Sequence, residues 1–204
     1  MRRRVTATVL TFATLLLATA CADDRTPGSA TTAPPSSAPS TGLPRAGAPA
    51  VQNPLKTDLL ANTPCGAATN AEIESIGGAL KSAEAEDIAG GRGCAWIFAN
   101  FAGDVSGALN VSQPDGLSHL YALKAQGNGV TTFKPLPAIS GYPAVEYANG
   151  GEGQGACQLA VGLRDDMMYV LVTQLRQGSP FLDDPCGLSS KIAEFAIKHL
   201  KAAQ

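Results

Sequence analysis

Five cysteines, at positions 21, 65, 94, 157 and 186, constrain this 204-residue chain more than any other feature. What they mean depends on compartment, and the amino terminus speaks to that. Arg2-Arg3-Arg4 precede a mostly apolar run, Val5 to Ala20, that stops at Cys21. A charged segment, a short apolar segment and small residues before a cut are the parts of a secretory signal, and the run is too short to span a bilayer comfortably. The expectation is export, with residues 1–20 removed and Cys21 left as the new amino terminus. Leu17-Ala18-Thr19-Ala20-Cys21 reads as a lipid attachment site, although Ala18 stands where lipoprotein signals usually carry leucine. A diacyl thioether on Cys21 and an acyl group such as palmitate on its amine would bury enough chains for stable anchoring. The expected location is the extracytoplasmic face of the cell membrane.

With Cys21 lipidated, Cys65, Cys94, Cys157 and Cys186 remain as an even set in a compartment where disulfides persist. Four cysteines allow three connectivities, and sequence does not choose among them rigorously. Pairing Cys65 with Cys94 and Cys157 with Cys186 closes the two shortest loops without nesting, and is the expectation adopted here. A zinc site needs ligands two to four positions apart, whereas no two of these cysteines are closer than 29. No metal and no cofactor are expected.

From Ala22 to about Leu55 the chain is rich in Ala, Pro, Ser, Thr and Gly, as in Thr31-Thr32-Ala33-Pro34-Pro35-Ser36, and offers little with which to build a core. Residues 21–58 are expected to form a lipidated, disordered tether, and residues 59–204 one globular domain. From Ala61 onward nine Lys and Arg face fourteen Asp and Glu, a net charge of −5 that gives nucleic acid nothing to bind.

Within the domain, Thr69-Asn70-Ala71-Glu72 is a capping box that opens a short helix through Ile73 and Ile76, with Gly77-Gly78 at its end. Apolar runs at 94–98, 108–112, 131–136, 144–147, 157–163 and 168–175 read as strands. The last two are joined at Arg164-Asp165-Asp166 as a hairpin, and the first two turn at Gly103-Asp104. Asp115 is expected to cap a helix through Leu117, Leu120 and Tyr121. Asp184-Pro185 open a final helix whose Leu188, Ile192, Phe195, Ala196 and Leu200 share a face. The fold class is α+β: a mainly antiparallel sheet of about five to six strands flanked by an N-terminal and a C-terminal helix, with two disulfides.

Candidate chemistry is sparse. Gly151-Glu152-Gly153-Gln154-Gly155-Ala156 matches a dinucleotide fingerprint by letters, but a strand rather than a helix follows it, so it reads as a hairpin loop. The two histidines, His119 and His199, have no nucleophile beside them, and Gly-x-Ser-x-Gly and His-Glu-x-x-His are absent. Asp165, Asp166 and Asp183 are the carboxylates an envelope hydrolase would have to use, and they lack the spacing of a calcium loop. Tyr142, in the rigid turn Ser140-Gly141-Tyr142-Pro143, and Trp96 are the aromatic candidates for binding a ligand or partner; Trp96 follows Cys94 inside a strand and is also suited to packing beneath a disulfide.

Pro64-Cys65, Cys94-x-Trp96, Gly141-Tyr142-Pro143-Ala144-Val145, Cys157-x-Leu159-x-Val161 and Asp184-Pro185-Cys186 together resemble the secreted actinobacterial lipoproteins built on a domain of unknown function. The resemblance runs from about Thr63 to Leu200 and departs at Ala67-Ala68, where members often carry Leu-Leu. It implies two disulfides, an antiparallel sheet flanked by helices and a mycobacterial-type envelope, and it assigns no reaction. The expectation is a binding or scaffold module, not an enzyme, held at the membrane by its lipid and engaging an envelope protein or an apolar ligand.

Overall fold

The computed structural model describes residues 42–88 and 90–204; the signal segment 1–20, the lipid site Cys21 and most of the tether lie outside the described residues. Seven strands form one sheet: β1 Leu80–Ile88, β2 Gly91–Phe98, β3 Gly103–Leu109, β4 Thr132–Ile139, β5 Tyr142–Ala148, β6 Ala156–Arg164 and β7 Met167–Leu175. Their order is β1-β2-β3-β7-β6-β5-β4, and every neighbouring pair is antiparallel. Four α-helices accompany them: α1 Asp58–Asn62, α2 Asn70–Gly77, α3 Leu117–Ala125 and α4 Pro185–Ala202. None of the described helices is long and apolar enough to cross a membrane.

Alternation along β6 and β7 sorts the side chains into two cores. Cys157, Leu159, Val161 and Leu163 share the first face with Tyr169, Leu171 and Leu175; Ala160 shares the second with Met168, Val170 and Val172. The first face is covered by α2 and α4, through Ile73 and through Leu188, Ile192, Ala196, Ile197 and Leu200. The second is covered in part by α3, through Leu117 and Leu120. The result is a three-layer α+β fold in which the two sides of the sheet are buried to different extents.

The helix ends follow local chemistry. Thr69 accepts the Glu72 amide at 3.2 Å while Glu72 accepts the Thr69 amide at 2.9 Å, completing the capping box. Asp184 accepts the Gly187 amide at 3.0 Å, and Pro185 occupies the first turn of α4, where an amide hydrogen would be idle. Cys65 is bridged to Cys94, tying the short 3-10 turn Pro64–Ala67 to β2, and Cys157 is bridged to Cys186, tying the first turn of α4 to the start of β6. Between α4 and β7, the buried Thr173 and Ser189 hydroxyls meet at 2.6 Å, and the Ser189 hydroxyl also lies within donating distance, 3.2 Å, of the Pro185 carbonyl.

Four sequence expectations are corrected. The sheet has seven strands rather than five or six, because β1 is an edge strand with the composition Leu-Lys-Ser-Ala-Glu-Ala-Glu-Asp-Ile, mostly exposed and so lacking an apolar signal. The packed region begins before Leu59: Val51 and Leu55 are buried, the Leu55 amide bonds the Leu163 carbonyl at 3.0 Å, and the Val51 amide bonds Asp165 at 2.8 Å. Backbone hydrogen bonds share in that anchoring, and composition cannot register them. The β2–β3 turn is Ala99–Phe101, and Gly103-Asp104 already belong to β3. Asp115 does not cap α3; Gly116, in the left-handed region, holds the cap position, and the Asp115 carboxylate instead pairs with Arg45.

Candidate functional site

Because α3 covers only part of the second face, a groove remains beside it. Tyr121 of α3 stacks edge-on against Phe133 of β4, with ring centroids 4.9 Å apart, and this contact with Leu117 and Leu120 fixes the helix over the β4–β7 half of the sheet. The groove floor is Met168, Val170 and Val172 of β7, and its walls are Leu120, Leu123 and Tyr147. Asn110, Gln113, His119, Asn149 and Gln158 form the rim, and the volume is about 430 Å³. Register explains the floor: Gln158 pairs with Val172 and with Tyr147, so alternate residues of three strands line one continuous trough.

The electrostatics of this groove are unusual for a domain of net negative charge. Among the described residues no Asp, Glu, Lys or Arg lines it. Burial pushes the Tyr147 phenol up, so the ring stays neutral and its hydroxyl remains available for hydrogen bonding. The rim amides are partly engaged with one another: Gln158 donates to Asn149 at 3.3 Å, and Ser112 donates to Asn110 at 2.8 Å. An apolar floor under a rim of amides and one imidazole, with no carboxylate, Lys or Arg among the described lining residues, suits a ligand with an apolar body and polar groups.

The residues expected from sequence to bind a ligand lie elsewhere, and inside. Trp96 is fully buried in the first-face core, with no partner for its indole nitrogen, so it packs and does not meet solvent. Tyr142 is 3 % exposed; its hydroxyl donates to the Asn53 carbonyl at 2.9 Å and its ring lies under Lys201. Both side chains lie in the interior: a tyrosine next to Gly141 and Pro143 has the composition of an exposed turn, but this one is buried with its hydroxyl on the Asn53 backbone. None of the four bridging cysteines lines the groove, and none is a free thiol.

The carboxylates considered for hydrolysis are each occupied. Asp165 holds the Val51 amide, Asp166 takes both ends of the Arg164 guanidinium at 2.8 and 2.7 Å, and Asp183 accepts from Gln154 at 2.9 Å. The glycine-rich stretch 151–155 connects β5 to β6 as a loop. Among the described residues no cluster of three or more His, Cys, Asp or Glu could hold a metal ion.

His199 is drawn to a partner from another helix. Glu72 of α2 accepts from His199 at 2.8 Å and from Lys198 at 3.1 Å, so one carboxylate caps α2 and latches it to α4. Burial pushes this carboxyl up, but hydrogen bonds from Thr69, His199 and Lys198 outweigh it and hold the group at about 2. His119, by contrast, stands on the groove rim. The groove has no contiguous sequence motif, since its residues come from α3, β5, β6, β7, the β1–β2 turn and the loops after β3, α3 and β5; the apolar run of β7 was the signal that pointed toward its floor.

Nothing among curated proteins and nothing among solved structures matches the chain. One family model does, over residues 16–199, and it carries the description "Protein of unknown function (DUF3558)". That span takes in the whole sheet, both disulfides and nearly all of α4, and the chain accordingly belongs to the DUF3558 family of proteins of unknown function.

Proposed function

We propose that this protein is an exported, lipid-anchored binding module of the cell envelope, acting without catalysis, and that the groove between α3 and the sheet is where it holds its ligand. The observation that carries the reading is the groove's chemistry: a trough of about 430 Å³ with an aliphatic floor, walls of Leu120, Leu123 and Tyr147, a rim of side-chain amides and His119, and among the described residues no Asp, Glu, Lys or Arg in its lining, in a domain that is otherwise acidic. Such a site favours an uncharged amphipathic molecule, an apolar body with hydroxyl or amide groups, over a charged metabolite that would forfeit its hydration without gaining an ion pair. The anchoring part of the reading rests on Arg2-Arg3-Arg4, the apolar run and Cys21.

The disulfides support the same reading in a different way. Two bridges hold helix and sheet together around the first-face core, leaving the second face as a preformed surface on a rigid scaffold. Native mass spectrometry of the exported chain, released gently from an envelope fraction, tests the reading. A reproducible added mass that is lost on extraction with organic solvent is expected. A bare mass in every preparation, four hydrogens below the reduced value, would count against a carried ligand.

A further inference from the structure

The β2–β3 turn carries a feature that the groove does not use. Asn100 and Phe101 both sit in the left-handed region, with φ of 55° and 59°. Asparagine tolerates that conformation and phenylalanine does so rarely. Phe101 is nevertheless 87 % exposed, so no burial of its ring offsets the strain. An exposed bulky residue held in a disfavoured conformation at a hairpin tip is the pattern of a recognition element. The turn is fixed from the other side, where the Arg176 amide donates to the Ala102 carbonyl at 2.9 Å.

Beside the Phe101 ring lies a notch of about 260 Å³. Ile97 and Phe98 give it apolar surface, and Lys81, Arg176 and Asp104 give it charge. Two cations against one carboxylate leave the notch positive, in a domain whose net charge from Ala61 onward is −5. Burial pushes the Asp104 carboxyl up while Arg176 draws it down, which marks this end of the site as partly desolvated. The notch and the groove therefore differ in kind, one cationic and one neutral.

We propose that this notch binds a small amphipathic carboxylate of the fatty-acid type, with its head group between Lys81 and Arg176 and its apolar tail along Ile97 and the Phe101 ring. The exposed phenyl gains a cover, and the two cations gain the anion that Asp104 alone does not supply. A neutral alcohol of the same length brings the two cations a hydrogen bond but no charge, and an alkylammonium meets repulsion. The proposal does not depend on the groove, because the two sites share no lining residue.

The test is a two-dimensional NMR titration of the full mature chain, as Cys21→Ser, with octanoate, and with octan-1-ol and octylammonium as controls. Octanoate is expected to shift the amides of Asn100 to Asp104 and of Arg176 saturably, the alcohol to bind more weakly by about fivefold or more, and the ammonium not to bind. Lys81→Gln and Arg176→Gln should each weaken octanoate by a similar factor. Phe101→Gly separates recognition from folding: glycine suits the left-handed backbone, so the melting temperature should rise while octanoate affinity falls. Equal affinity for octanoate and octan-1-ol, unchanged affinity in Arg176→Gln, or shifts confined to Val170 and Val172 of the groove would overturn the proposal.

Discussion

Glu72 performs two jobs that can be separated by substitution. Its carboxylate closes the capping box of α2 with Thr69 and receives Lys198 and His199 from α4. Glu72→Gln keeps a side chain able to cap but removes the charge; Glu72→Ala removes both. The Glu72 side chain is 19 % exposed, its partners 70 % and 28 %, so the ionic part belongs with partly screened surface pairs and is worth about 0.5–1 kcal/mol in total. The cap adds about 1 kcal/mol. Glu72→Gln should therefore cost about 0.5–1 kcal/mol at pH 7 and Glu72→Ala about 1.5–2 kcal/mol, the latter a fall in melting temperature of roughly 5 °C for a domain of this size. The pH dependence follows from the carboxyl being held at about 2 against an ordinary 4.5. A depressed carboxyl contributes stability that is fully present above about pH 4.5 and is lost as the pH falls toward 2. Urea denaturation of the three proteins at pH 7 and at pH 2.5 measures it. The gap between wild type and Glu72→Gln should narrow at the lower pH. A gap that stays constant across that range would refute the ionic part of the latch, and equal stability of the Gln and Ala variants would refute the cap.

Three further outcomes are expected. Cys157→Ala with Cys186→Ala opens a loop whose ends are 29 residues apart and should cost about 3.5 kcal/mol by the chain-entropy relation, read as a lower urea midpoint in non-reducing buffer. Ser189→Ala leaves the buried Thr173 hydroxyl without its partner and should destabilise by about 1–3 kcal/mol, whereas Thr173→Val with Ser189→Ala together should recover part of that loss. Cys21→Ser should move the protein from the detergent phase to the aqueous phase in phase partitioning and abolish labelling by a radioactive acyl precursor, and unchanged partitioning would argue against lipid attachment at this residue.

The parts of the fold that were legible in the sequence are those where one local rule acts without competition. Thr69 and Glu72 three residues apart, Asp184 before Pro185, and the two apolar runs joined at Arg164-Asp165-Asp166 each state their structure directly. What was not legible depends on distant segments. β1 reads as polar, and is a strand because β2 offers it a free edge. Residues 42–58 look like tether and pack because Leu163, Asp165 and Tyr142 provide acceptors and a donor for their backbone. The same contacts bury Tyr142, which turned a plausible recognition residue into a structural one. Trp96 went the same way, since its strand faces the core covered by α2 and α4. The groove escaped notice for the complementary reason: a helix, three strands and several connecting loops supply its lining, and each residue taken alone, Asn110 or Gln158 for example, is ordinary in a loop or strand. The scarcity of charge in it emerges only when the lining is assembled, because the carboxylates of the described residues fall outside it.

Occupancy of the groove in the living envelope is the central claim, and photo-crosslinking tests it most directly. A photoreactive phenylalanine analogue placed at Leu123, on the groove wall, is compared with the same analogue at the exposed Lys191 of α4, on the other face of the sheet. Illumination of intact cells followed by mass analysis of the purified protein should give a defined adduct at position 123 and none at position 191. No adduct at position 123, or the same products at both positions, would contradict a ligand-binding groove.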